Sequence, residues 1–241
     1  MDIIGNLKII HRRIETACAR CGRNPSDVKL LLATKTVSPE NIKIALNKGE
    51  KIIGENKIQE ALKKIEVLKD ESVERHFIGH LQKNKIKDAL KFADMIQSVD
   101  RLDLVEKLDQ RLQFEGKSMD VLIQVNTSGE DSKFGIEPEN AMELVRQASG
   151  YDSIHIKGLM TIGIFSGDEA EVRRCFKILR QLQTRIREEK IPNVEMDILS
   201  MGMSGDLEIA IEEGSTMLRV GTAIFGDRVY PDTYYWNEDV K

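Results

Sequence analysis

The chain has 241 residues, 41% hydrophobic and 32% charged, so it is long and apolar enough to bury a large core. Its 36 basic and 40 acidic residues give a formal net charge of −4, which excludes a broad electrostatic attraction to nucleic acid or to an anionic membrane surface. No apolar run approaches the ~20 residues that span a bilayer, and the N-terminus lacks a signal-peptide pattern, so we expect a cytoplasmic protein.

The first segment, "IIGNLKIIHRRIETACARC", has the apolar spacing of an amphipathic helix. Two of the three cysteines, Cys18 and Cys21, form a C-x-x-C near its end, and Cys175 lies far away. An odd count argues against a disulfide framework, and no second ligand pair stands at zinc-finger spacing. We therefore expect a structural role for the pair and no metal site, with a redox or metal role as the alternative.

From Val28 onward, short apolar runs alternate with segments of helical periodicity. After the first run, Ser38 and Pro39 form a helix start, and Gly49 follows the helix end. The strand-like runs span residues 28–34, 51–56, 74–80, 95–100, 119–127, 154–163, 195–202 and 216–226.

Eight buried strands, with a helical segment after each of the first seven, predict an α/β fold, a single (β/α)8 TIM barrel. We expect one domain over residues 1–241, with an extra N-terminal helix. The competing architecture is an open doubly wound sheet, which is disfavoured because no G-x-G-x-x-G follows the first strand.

The active site of such a barrel lies at the carboxyl ends of its strands. Two segments there suggest an anion site: "SMGMSGD" after strand seven and "RVGTAIFG" in strand eight. Glycines let backbone N–H groups approach a ligand, and loops seven and eight often bind phosphate in this architecture. The alternative is a tight turn in which Ser204 or Asp206 caps the next helix.

Two cations accompany these segments. Arg219 lies inside an apolar strand on the same face as Gly221, so its guanidinium needs an anion, an acceptor, or an ion pair with Glu55 or another inner acid. Lys35 ends the first buried strand. A desolvated lysine near another cation has a lowered pKa and becomes a nucleophilic amine, which forms a Schiff base with an aldehyde. Pyridoxal 5′-phosphate (PLP) and a phosphorylated aldolase substrate both fit.

Five segments carry a resemblance to a known family: "LLLATKTVSPE", "IGENKIQEAL", "HFIGHLQKNK", "GLMTIG" and "LSMGMSGDLEIAIEEGSTMLRVGTAIFG". Together they resemble the pyridoxal phosphate homeostasis proteins (the YggS/PROSC family), in order, from about Val28 to Gly226. The resemblance implies a barrel similar to the N-terminal barrel of alanine racemase, a PLP fold type III-like architecture.

The resemblance also implies roles for particular residues. Lys35 would hold PLP covalently as a Schiff base, and Arg219 would face the pyridine nitrogen. The other implied contacts are to the phosphate, from Ser200, Thr222 and the backbone near Gly202 and Gly221, and to the ring, from Asn56, His80 and Met160.

The implied function is intracellular PLP homeostasis, by buffering or delivery to apo PLP-dependent enzymes, without robust catalysis. The alternative is a PLP-dependent amino-acid racemase or decarboxylase, in which Lys35 is one base and His80, Tyr230 or Tyr234 supplies a second acid–base group. Only fifteen residues follow Gly226, too few for the further domain of the resembling racemases. We expect a monomer that binds neither nucleic acid nor membrane.

Overall fold

In the computed structural model, which describes residues 1–226, eight parallel strands close into a barrel in chain order. Strand one pairs with strand eight, so that Leu31 stands opposite Arg219. This closure confirms the predicted (β/α)8 barrel and excludes the open sheet. The strands are β1 (Lys29–Ala33), β2 (Ile52–Glu55), β3 (Glu74–Phe77), β4 (Met95–Val99), β5 (Met119–Gln124), β6 (Ile154–Met160), β7 (Val194–Ser200) and β8 (Met217–Val220).

Helices follow the strands as the periodicity predicts. The signals at the first of them are used as expected: the Ser38 hydroxyl accepts a hydrogen bond from the Asn41 N–H, and Pro39 occupies the first turn. The helices are α1 (Ile3–Cys21), α2 (Pro39–Leu46), α3 (Ile58–Ile65), α4 (Ile86–Ala89), α5 (Leu102–Glu115), α6 (Pro138–Ala148), α7 (Glu169–Glu188), α8 (Leu207–Glu212) and α9 (Thr222–Phe225).

The prediction for the eighth strand was wrong over its second half. The strand ends at Val220, and Thr222–Phe225 forms α9, because the N–H groups of Ile224 and Phe225 both bond to the Gly221 carbonyl. A short apolar run cannot be assigned to strand or helix from periodicity alone. The consequence is that Thr222 opens a helical turn at the barrel mouth.

The N-terminal helix α1 packs on the outside of the barrel against α8, α9 and α2. Its buried face follows helical spacing through Ile3, Leu7, Ile10 and Ile14. Cys18 is buried near its end and Cys21 is exposed, where its thiol donates to a backbone carbonyl of the same helix. The expected extra N-terminal helix is therefore present and closes the helical layer beside β8 and β1.

The barrel interior is divided between apolar and polar layers. Leu31, Ile52, Ile78 and Met217 form one apolar cluster there. Polar side chains share the interior with it, among them the buried His76, Gln97 and Ser200. Within residues 1–226, no helix is long and apolar enough to cross a membrane.

Candidate functional site

A cavity of about 700 Å³ opens at the mouth of the barrel, between the carboxyl ends of β1, β2 and β8. Two cations face it, Lys35 and Arg219. Its other lining residues include hydroxyl, amide and apolar groups: Asn56, Ile78, Ile162, Phe165, Met203, Ser204, Gly205, Gly221 and Thr222. This combination gives the cavity a positive wall and a polar rim.

Lys35 is half-buried in the turn that follows β1. The next residue, Thr36, has a φ of +61°, a left-handed conformation that β-branched residues rarely adopt. Its N–H donates to Glu60 Oε2 on α3 over 2.9 Å, and this contact holds the turn in place. Such strain persists only where surrounding contacts impose it, so the direction of the turn that carries Lys35 is set by α3.

A buried ion pair supports the same turn from behind. Lys64 Nζ donates to Glu55 Oε1 and to the Thr34 carbonyl, each over 2.7 Å, and the Thr34 hydroxyl donates to Glu55 Oε1 over 2.6 Å. Burial raises the pKa of the Glu55 carboxyl, and the charge of Lys64 opposes that rise. The expected alternative of an ion pair between Glu55 and Arg219 is wrong, because Glu55 pairs with Lys64 instead.

Arg219 is buried, and its guanidinium donates to two neutral oxygens. It reaches Ser200 Oγ over 2.8 Å and the Thr161 carbonyl over 2.7 Å. Burial lowers the pKa of Arg219 to about 10, and the nearby Asp206 opposes this shift. Arg219 therefore stays charged at neutral pH and directs positive charge at the cavity.

Behind Arg219, a chain of hydrogen bonds crosses the barrel interior. The Ser200 hydroxyl donates to Gln97 Oε1 over 2.7 Å, and Gln97 Nε2 lies 2.6 Å from His76 Nδ1. His76 Nε2 lies 2.6 Å from Glu74 Oε1 at the other end of the barrel. The His76 contact lowers the pKa of Glu74, so this carboxylate accepts and every donor in the chain points away from Arg219.

The loop after β7 meets α9 beside the cavity. Ser204 and Thr222 are half-buried there, with 3.2 Å between their hydroxyl oxygens, and the Ser204 hydroxyl also accepts from the Ala223 N–H over 3.3 Å. The Asp206 carboxylate accepts from the Met203 N–H and closes the loop on itself. Two hydroxyls and a helical turn thus converge on one corner of the cavity, as an anion site requires.

The structure brings together five of the nine residues expected at the site: Lys35, Asn56, Arg219, Gly221 and Thr222 line the cavity. Asn56 is buried, and its Oδ1 has no hydrogen-bond partner among the described residues. A buried acceptor without a hydrogen-bond donor lowers the stability of the fold unless a ligand supplies the donor.

The other four lie behind or beside the cavity. Ser200 is a link in the interior chain, and Gly202, with a φ of +94°, packs so closely that a Cβ there would lie 2.4 Å from Ala210 Cβ. Met160 belongs to a buried apolar cluster. The His80 ring stacks on Phe134 with centroids 3.8 Å apart, and burial lowers its pKa. Tyr230 and Tyr234 fall outside the described residues.

Sequence reasoning missed Ser204, which it considered only as a helix cap. The apolar lining residues Ile78, Ile162 and Phe165 were also missed. Both serines lie at the carboxyl end of β7, Ser200 as its last residue and Ser204 in the loop beyond Gly202, so the local sequence does not show which of them faces the cavity. Residues 1–226 contain no group of three His, Cys, Asp or Glu side chains arranged to hold a metal ion.

This chain is similar to known proteins over most of its length. A family model described as the alanine racemase N-terminal domain matches residues 6–229. A pyridoxal phosphate homeostasis protein of Aquifex aeolicus is 44% identical over 230 residues, covering 95% of this chain and 100% of the relative.

Two solved structures are similar over most of their length. One is an unknown protein of Bifidobacterium adolescentis, 40% identical with a TM-score of 0.90, covering 93% of this chain and 94% of the other. The second is PipY of Synechococcus elongatus, solved with PLP bound, 32% identical with a TM-score of 0.78, covering 90% of this chain and 100% of the other.

Proposed function

Because this chain belongs to the alanine racemase N-terminal domain family, and within it to the pyridoxal phosphate homeostasis proteins, we propose that it binds PLP covalently through Lys35. Its role is then intracellular PLP homeostasis, by buffering or delivery, without robust catalysis of its own. The observation that carries the proposal is the cavity in which Lys35, Arg219 and the Ser204–Thr222 hydroxyl pair meet, in a fold whose relative was solved with PLP bound.

The residues fit the three chemical features of the cofactor. PLP has an aldehyde, which reacts reversibly with an amine. It also has a phosphate group and a pyridine ring that bears a ring nitrogen and a hydroxyl. Lys35 offers the amine, and Arg219 offers N–H donors to the ring nitrogen. The unpartnered Asn56 Oδ1 is an acceptor for a ring donor.

For the phosphate we propose Ser204 and Thr222, and we assign Ser204 the role that the resemblance gave to Ser200. The Ser200 hydroxyl is fully buried and is already bonded to Gln97 and Arg219. The Ser204 hydroxyl lies in the cavity wall beside Thr222 and a backbone N–H of α9. These groups, which contact one another at 3.2–3.3 Å, would instead donate charge-assisted hydrogen bonds to the phosphate.

The lining of the cavity supports a carrier over an enzyme. Among the described residues that line it, Lys35 and Arg219 are the only titratable side chains. A two-base racemase needs a second acid–base group on the other face of the substrate, and an arginine does not yield its proton readily. A ring nitrogen that accepted from Arg219 would stay unprotonated, which disfavours a decarboxylase because the ring would then be a weaker electron sink.

The proposal includes a monomeric, single-domain protein of the cytoplasm that passes PLP to apo-enzymes. These parts rest on the sequence and the resemblance. A racemase or decarboxylase remains the second function to be tested.

The test is an absorbance titration of the apo-protein with PLP, followed by racemase and decarboxylase assays on a panel of amino acids. We expect one equivalent of PLP per chain, with a Schiff-base absorbance band that Lys35→Ala abolishes. Lys83→Ala, at an exposed lysine paired with Asp103, is the matched control and keeps the band. If Lys35→Ala kept the band, the proposed site would be contradicted. If the wild type turned over an amino acid and Lys35→Ala abolished that turnover, the carrier role would be contradicted.

A further inference from the structure

The N-terminal helix α1 touches the proposed phosphate corner although none of its own residues lines the cavity. Its Arg13 forms a fork on Glu208, with Nε 2.6 Å from Oε1 and one terminal nitrogen 2.8 Å from Oε2. The other terminal nitrogen donates to the Ser204 carbonyl over 3.0 Å. One guanidinium therefore joins α1, the first turn of α8 and the loop that carries the Ser204 hydroxyl.

A second side chain of α1 reaches the other half of the same corner. Asn6 Nδ2 donates to the Ile224 carbonyl over 2.9 Å. Ile224 belongs to α9, whose first residue is Thr222. The two hydroxyls that meet at 3.2 Å are thus each tied to α1 through the backbone of their own segment.

We propose that Arg13 is a positioning residue for the phosphate-binding loop, and that α1 acts as a brace which fixes the separation of the Ser204 and Thr222 hydroxyls. The inference rests on the proposed function. Without Arg13, the loop 203–206 keeps the two hydrogen bonds between Met203 and Asp206, the bond from the Ala210 N–H to the Asp206 carbonyl, and the 3.2–3.3 Å contacts of the Ser204 hydroxyl, and none of these reaches α1. The loop then samples more conformations, and binding a phosphate requires that it be ordered again.

The chain offers a matched control on the same helix–helix contact. Arg23 follows α1 and donates to the Ile211 carbonyl over 2.7 Å, so it also ties the N-terminal segment to α8. It contacts the far end of α8 and not the loop. A purely structural role of the α1–α8 packing predicts similar effects of Arg13→Ala and Arg23→Ala on ligand binding, whereas a brace predicts different ones.

The experiment compares the affinity of each variant for PLP and for pyridoxal, which has the same aldehyde and ring but no phosphate. We expect Arg13→Ala to weaken PLP binding about tenfold and pyridoxal binding less than about twofold, because a charge-assisted tie to the loop is lost. Arg23→Ala should leave both affinities within about twofold of the wild type, because Arg23 has no hydrogen bond to the loop. This expectation holds even if thermal unfolding shows that the variant is less stable than the wild type. Asn6→Ala should also weaken PLP binding more than pyridoxal binding, by a smaller factor than Arg13→Ala. If Arg13→Ala fails to fold, Asn6→Ala provides the test.

Equal losses for PLP and pyridoxal, or no loss for PLP, would overturn the brace. Loss of PLP affinity in Arg23→Ala as large as in Arg13→Ala would overturn it as well. A wild-type protein that binds PLP while Arg13→Ala is unchanged refutes the brace alone. A wild-type protein that binds neither ligand refutes the proposed function, and the brace falls with it.

Discussion

Ser200 and Ser204 differ in what they contact, although they lie only four positions apart in the sequence. Ser200 connects Arg219 to Gln97 inside the barrel, and Ser204 faces the cavity with Thr222. We expect Ser204→Ala to weaken PLP binding about tenfold with little change in stability, because one phosphate donor is lost. Ser200→Ala is expected to lower the free energy of unfolding by about 1–3 kcal/mol, because it leaves buried groups of Arg219 and Gln97 unpaired. PLP titration and urea unfolding measure the two effects, and the reverse pattern would return the phosphate to Ser200.

The buried pair of Lys64 and Glu55 is the second feature at this scale. Removing Lys64 leaves a carboxyl that is fully buried and keeps only the Thr34 hydroxyl as a side-chain partner. We expect Lys64→Ala to destabilise the fold by about 3–5 kcal/mol, the usual cost of breaking a buried ion pair. Lys63→Ala, at the exposed neighbour, is the control and should stay within about 0.5 kcal/mol. Similar unfolding midpoints for the two variants would show that the pair contributes little.

Among the helices, α1 allows a direct test of how much its packing contributes to stability. Its consecutive residues Ile9 and Ile10 have opposite environments, with 59% and 1% of their surfaces exposed. Ile10→Ala opens a cavity between α1 and the barrel and should cost about 2–5 kcal/mol, whereas Ile9→Ala should cost less than about 0.5 kcal/mol. Thermal or urea unfolding checks both. An inexpensive Ile10→Ala would mean that α1 is only loosely attached, which would also weaken the brace.

For the whole molecule, acid should lower stability by protonating carboxylates that accept hydrogen bonds in the folded state. The bond from Arg13 lowers the pKa of Glu208, and the bond to His76 lowers the pKa of Glu74. A carboxyl with a lowered folded-state pKa contributes stability that is present above its unfolded value of about 4.3 and is lost as the pH falls through the folded value.

We therefore expect the urea midpoint of the wild type to fall below about pH 4.3, and less steeply in Glu208→Gln. Glu66→Gln, at a side chain that is 81% exposed, serves as the control and should follow the wild type. A wild type and a Glu208→Gln variant with parallel pH profiles would show that the Arg13–Glu208 contact does not contribute to acid sensitivity.

At the same scale, the sequence predicted the architecture and only part of the site. Eight strand-like runs alternating with helical segments were enough to predict the barrel. A fully apolar strand needs both of its faces buried, one in the barrel interior and the other under a helix. The Ser204 position, the helical turn at Thr222 and the Glu55–Lys64 pair were not predictable, because each depends on which residues the closed barrel brings together. The Arg13 contact spans 195 residues of sequence, and no local pattern encodes such a pairing.

The central claim is that Lys35 holds PLP, and it is tested most directly by locating the bond. The protein is incubated with PLP, reduced with borohydride, and examined by intact mass and peptide mapping. We expect a single phosphopyridoxyl group on the peptide that contains Lys35, absent from Lys35→Ala. An unmodified Lys35 beside scattered labelling of exposed lysines would contradict the account, and the cavity would then have to be assigned to another phosphorylated ligand.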